Sequence, residues 1–124
     1  MRRLKLPGRD PSRPRLDEND VDLIQVLGIS EVKQQAEAVI KQKLGDPDSG
    51  GNIPLAGNPI YKAMHACNAA SREELEFSHR IPADRTLNDK DVDTLVNLLT
   101  RWIAREYNFY MQENERQKSL VDFK

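Results

Sequence analysis

Both histidines and the single cysteine of this 124-residue chain fall between Gly57 and Pro82, in GNPIYKAMHACNAASREELEFSHRIP. Imidazole, thiolate and carboxylate are the ligands that zinc and similar divalent metals take, usually four of them or three with a water. His65, Glu74 and His79 form one candidate set, with Cys67 as a further ligand. His65 and Cys67 stand two residues apart, so on an unbroken helix they point about 160° away from each other. Both reach one ion only where the helix ends or distorts, and the usual Cys and His ligand spacings are absent. A second chemistry would be acid–base or nucleophilic work by Cys67 with a histidine, which needs an exposed thiol beside a base. Cys67 falls on the expected apolar face with Met64, where a thiol is usually inert. No triad order or oxyanion signature accompanies it. The plain alternative is that Cys67 and Met64 are core and that the histidines are hydrogen-bonded packing residues.

The third chemistry is electrostatic. Residues 1–15 carry six basic side chains, Arg2, Arg3, Lys5, Arg9, Arg13 and Arg15, against Asp10 alone, whereas the whole chain has a net charge of −1. The body that follows is therefore acidic, and the split suggests an appended arm that meets something acidic. Such an arm could contact phosphates without sequence preference. Arg72, Arg80 and Arg85 add basic groups near the histidines. Against this, the isoelectric point of about 6.1 is not that of a typical nucleic-acid binder. The alternative is an arm lying on the chain's own acidic body, or on that of a neighbouring copy. Two tempting motifs fail. Asp89, Asp91 and Asp93 begin like a calcium loop, but Thr94 stands where glycine is needed and Thr100 where glutamate is needed. Gly50-Gly51 lacks the Gly-Lys-Ser/Thr that would make it a phosphate loop.

The elements that must position these groups are helices. Asp17 is a natural cap, and Val21, Leu23, Ile24 and Leu27 lead to a stop at Gly28. Ser30 is placed to cap a second helix to about Leu44, with Val32, Ala36, Val39 and Ile40 on one stripe. Residues 45–57 read as a long loop rich in glycine and proline. Asn58-Pro59 starts a third helix with Ile60, Ala63, Met64, Cys67 and Ala70 on one face. Either that helix runs on through Arg72 to Glu76, or a short fourth begins near Ser71, before a break at Ile81-Pro82. Asn88 is placed to cap the last helix, which carries Val92, Leu95, Val96, Leu99, Trp102 and Ile103 at helical spacing and continues into Tyr107, Phe109 and Tyr110. The expected fold is all-α, a compact bundle of four or five helices. A flexible, basic, proline-rich arm (1–15) leads a helical domain (16–112), and a polar C-terminal tail (113–124) follows it. No apolar run approaches the ~18 residues of a membrane span. No secretory leader is expected, and one cysteine fits a reducing cytosol.

Gly57 and Pro59, His65-Ala66, Arg72, Leu75-Glu76, His79, Ile81-Pro82 and Trp102-Ile103 together resemble the uncharacterised family named domain of unknown function 4186. Leu16, Asp20, Ile24, Gly28, Ala36 and Ile40 extend the resemblance, so it covers roughly residues 16 to 106. The family pattern has three cysteines where this chain has Ala70, Ser71 and Glu74, and a tryptophan where it has Ser78. The resemblance implies a family site stripped of its thiols, with zinc or another divalent metal not bound in the same way. It transfers no reaction.

The expectation is a non-enzymatic binding or adaptor module. It would use the surface around His65, Arg72 and His79, with the arm as a second contact for a protein or nucleic-acid partner. The alternative is a metal-dependent protein acting on nucleic acid through His65, Glu74 and His79. A homo-oligomer built on the aromatic last helix is a further expectation, and the cytoplasm is the expected location.

Overall fold

The computed structural model describes residues 4–9, 13–47, 53–55 and 57–122, with side chains as far as Asn114. It is all-helical: α1 is Glu18–Leu44, α2 Pro59–Ala66, α3 Arg72–His79 and α4 Asp89–Asp122. Among the described residues there is no strand.

Each helix starts where a side chain can satisfy its free N–H groups. Asp17 accepts from the Asp20 N–H at 3.0 Å while the Asp20 carboxylate accepts from the Asp17 N–H at 3.0 Å, a reciprocal capping box. Asn58 accepts from the Ile60 N–H at 2.7 Å, with Pro59 in the first helical position. Ser71 accepts from the Glu74 N–H, so a separate α3 begins there rather than a continuation of α2. Asn88 accepts from the Asp91 N–H at 2.8 Å.

The expected stop at Gly28 is a break inside α1. Gly28 has φ 80° and ψ 161°, a region open only to glycine, while the residues on both sides are helical. The two helices expected on either side of Gly28 thus meet at a kink, and Ser30, already helical, does not cap the second. α2 is shorter than its apolar stripe: it ends at Ala66, and Asn68 turns left-handed at φ 55°. Arg80, at φ 57°, ends α3 in the same conformation just before Ile81-Pro82. α4 runs on to Asp122, so the polar stretch from residue 113 continues this helix; the Leu120, Val121 and Phe123 side chains lie outside the described residues.

α1 and α4 form the main packed pair, and α2 lies against both. Ile40 and Leu44 of α1, Ile60 and Met64 of α2, Leu75 of α3, and Leu95, Leu98, Leu99 and Ile103 of α4 are fully buried between them. Each such side chain contributes roughly 1.5–3 kcal/mol of burial. Leu4 of the arm and Leu16 just after it belong to the same core. Arg101 of α4 donates to the Leu4 carbonyl, and Arg105 to that of Pro7 at 2.6 Å. Where the arm meets α1, buried Lys62 donates to the Arg15 carbonyl at 3.0 Å and pairs with Asp20 and Asp17. Burial opposes the Lys62 charge, but the two carboxylates outweigh it and hold its pKa above the ordinary value. Of the two settings open to the arm, the described residues show the one in which it lies along the chain's own body.

Candidate functional site

The chemistry-bearing residues of the Gly57–Pro82 segment are each bound to a different piece of backbone. His65, half-buried on α2, sets Nε2 2.7 Å from the Ile53 carbonyl. His79, buried at the end of α3, sets Nε2 2.8 Å from the Cys67 carbonyl. A carbonyl only accepts, so both rings donate there. The Glu74 carboxylate accepts from the Ala70 N–H at 3.0 Å, tying down the turn before α3. His65, Glu74 and His79 are thus not brought together. Among the described residues, no group of three His, Cys, Asp or Glu side chains could hold a metal ion.

Arg72 is the clearest departure from expectation. It is buried, with Nη1 3.0 Å from the Leu44 carbonyl and Nη2 2.6 Å and 2.7 Å from those of Pro82 and Arg85. Leu44 is the last residue of α1, so the guanidinium sits on the negative end of that helix and joins it to the loop before α4. Burial, with Arg85 nearby, holds the Arg72 pKa below its ordinary value. Among the described residues its Nε has no hydrogen-bond partner. With Arg72 and His79 interior, the expected recognition surface of His65, Arg72 and His79 does not form as one surface. An internal fork that ties three chain segments and an exposed fork that reads a partner look alike in sequence.

Cys67 is core, as its spacing suggests. It is 1% exposed, and burial pushes its thiol up to about 12, so it is neither thiolate nor accessible near neutral pH. Ser71 and Glu74 carry local structure: Ser71 caps α3 and Glu74 bonds to Ala70. The aromatic face of α4 is likewise used within the chain. Trp102 and Ile103 are core, Tyr107 accepts from Gln25, and the Arg9 guanidinium lies 3.9 Å above the centre of the Phe109 ring.

The basic residues of the arm do converge. Arg9, Arg13 and Arg15 line a shallow pocket with Arg105 and Glu106 of α4, floored by Trp102 and Ala66. Arg9 grips the buried Glu106 carboxylate with Nε at 3.0 Å and Nη2 at 2.9 Å. Arg105 Nε shares the same carboxylate at 3.1 Å. The bond to Glu106 holds the Arg9 pKa above its ordinary value. Arg13 Nη1 donates to the Ala66 carbonyl and to Asn68, 3.0 Å each. Lys5 and Arg15 are exposed, whereas Arg2 and Arg3 lie outside the described residues. An open depression of about 360 Å³ is bordered by Lys5, Asn68, Ser78 and His79. Arg105 is the site residue that inspection of the sequence missed. Its four-residue spacing from Arg101 puts the two on one face of α4, which is a signal, but nothing in the spacing says that the arm returns along that face.

A family model described as a domain of unknown function (DUF4186) matches residues 8–104, most of the chain, from the arm through α1, α2 and α3 and into the first half of α4. Neither a curated protein nor a solved structure matches the chain. Among the described residues, no helix is long and apolar enough to cross a membrane.

Proposed function

The chain belongs to the domain of unknown function 4186 family, and we propose that this member is a non-enzymatic binding module that holds a nucleic-acid partner by its phosphates, through the basic arm and the α4 face beneath it. The observation that carries this reading is the pocket in which four arginines face one carboxylate. Guanidinium groups match phosphate oxygens in a planar, two-pronged way that lysine cannot reproduce. They also fix a nucleic acid in place without reading its bases. A binding role also fits the state of the other reactive groups: the thiol is buried, and each imidazole already donates to a carbonyl.

The test is the affinity for a fluorescent oligonucleotide measured across salt concentrations. Binding through phosphates gives a log–log slope of about −0.7 per neutralised phosphate for a single strand and about −0.9 for a duplex. Lys5→Gln and Arg15→Gln remove exposed charges, and the Arg15 carbonyl that Lys62 holds remains in place. Each should weaken binding and flatten the slope by about one phosphate's worth. Deleting the arm is a poorer test, because Leu4 goes into the core and Arg9 and Arg13 bond to the body. If the double variant keeps both the affinity and the slope of the unaltered protein, the reading is wrong.

A further inference from the structure

The basic pocket is compact, and that limits which part of a nucleic acid it suits. Beyond residue 15 the chain carries more acidic than basic side chains, so the excess of positive charge belongs to the arm. Among the described lining residues the positive charge is concentrated on Arg9, Arg13, Arg15 and Arg105, with Glu106 as the carboxylate in the pocket, while Glu113 also acts on Arg9 through its charge. Resting on the nucleic-acid reading above, we infer that the partner is held at a strand end, by a terminal phosphate monoester seated among these four arginines.

The charge, the donors and the space agree. A phosphate monoester carries about −1.5 to −2 charges and three terminal oxygens, whereas an internal diester carries one charge and two free oxygens. Among the described lining residues, four guanidinium groups and one carboxylate leave a surplus of three positive charges, which suits the dianion better than the diester. Within the described chain, Arg9 Nη1, Arg13 Nε and Nη2, and Arg105 Nη2 carry no hydrogen bond, and Arg15 uses none of its donors. The other nitrogens of Arg9, Arg13 and Arg105 are already anchored to Glu106, Ala66, Asn68 and Pro7, so these forks are largely oriented before a ligand arrives. Free room at the bottom of the pocket is about 10 Å³, enough for one water-sized atom. One phosphate oxygen enters it and the nucleoside stays outside. There the stacked Arg9 and Phe109 side chains offer the terminal base a flat surface.

The test compares one oligonucleotide in three forms, with a 5′-phosphate, with a 3′-phosphate and with hydroxyls at both ends, by fluorescence anisotropy at fixed salt. At least one phosphorylated form should bind about tenfold or more tightly than the unphosphorylated one. Inorganic phosphate at millimolar concentration should erase that preference. Arg15→Gln, checked for an unchanged helical spectrum, should lose most of the preference. Lys5→Gln, which is outside the pocket lining, should weaken all three forms alike. Equal affinities for the three forms overturn the terminal-phosphate inference and leave the nucleic-acid reading standing. Binding of a phosphoserine peptide, with none of the oligonucleotides bound, overturns both.

Discussion

Replacing Arg72 should damage folding rather than recognition, and the size of the effect can be worked from its bonds. The guanidinium makes three good hydrogen bonds to carbonyls, at 3.0, 2.6 and 2.7 Å, and a long one of 3.5 Å to Gly45. A bond from a charged donor is worth about 1.5–3 kcal/mol, so three would cost at most roughly 4.5–9 kcal/mol. Not all of that is lost in Arg72→Ala. Pro82 is exposed and Arg85 only half-buried, so water can reach their carbonyls, whereas Leu44 is 1% exposed and its carbonyl stays dry. The orphaned Nε, itself an unfavourable burial, also disappears. The expected net loss is about 3–4 kcal/mol, a large part of the 5–15 kcal/mol that holds a typical domain together. Arg72→Lys should recover little, because one ammonium cannot span the end of α1 and the loop at residues 82–85 together. Urea unfolding followed by far-ultraviolet circular dichroism and by the fluorescence of Trp102 reads both variants. A loss below about 1 kcal/mol for Arg72→Ala, or an Arg72→Lys protein as stable as the unaltered one, would refute the reasoning. A variant that folds normally but no longer binds would return Arg72 to the recognition role expected from sequence.

Three further outcomes follow from the same structure. Gly28→Ala should cost about 1–3 kcal/mol through backbone strain alone, since a Cβ at Gly28 would meet no atom within 4 Å. Asparagine should not rescue it, because ψ of 161° lies outside the left-handed region that asparagine tolerates; a thermal melt unchanged by Gly28→Ala would show that the break in α1 does not need glycine. Cys67, with its thiol pushed up to about 12, should resist a thiol-specific disulfide reagent at pH 8 in the native protein and react at once in urea, and rapid native labelling would contradict its placement in the core. Burial works against the Asp91 charge, but hydrogen bonds from Arg85 at 2.6 Å and from the Asn88 N–H hold its pKa below the ordinary carboxylate value. Its contribution to stability is therefore complete above the unfolded carboxylate pKa of about 4 and is lost as pH falls through the lower folded value, so Asp91→Asn should flatten the acid limb of stability against pH. An acid limb of unchanged steepness in Asp91→Asn would show that this carboxylate does not matter there.

Much of the helical layout was legible because its causes are local. Asp17, Asn58, Ser71 and Asn88 cap helices through bonds to N–H groups two or three residues ahead, and a cap of that kind can be read from the residue types alone. Gly28 was legible as an interruption between two helical stretches, but its angle was not, because residue type alone does not say how the second stretch continues from the first. The end of α2 was misplaced by several residues because its apolar stripe continues past the last helical turn: Ala69 and Ala70 are buried without being helical.

The site was less legible, since its interactions span the chain. Arg9 meets Glu106 across 97 residues, Arg13 meets Asn68 across 55, and Arg72 meets Leu44 across 28. Sequence alone determined the helical class, the caps at Asp17, Asn58 and Asn88, the core status of Cys67 and the separation of a basic arm from an acidic body. All of these follow from residue type, spacing and the period of a helix. Only the tertiary structure decided which charges face inward. Arg72 became an internal tie and the arm arginines a pocket because a guanidinium goes wherever unpaired carbonyls and carboxylates lie. Their positions are set by the packing of α1, α2 and α4, and not by any neighbour in sequence.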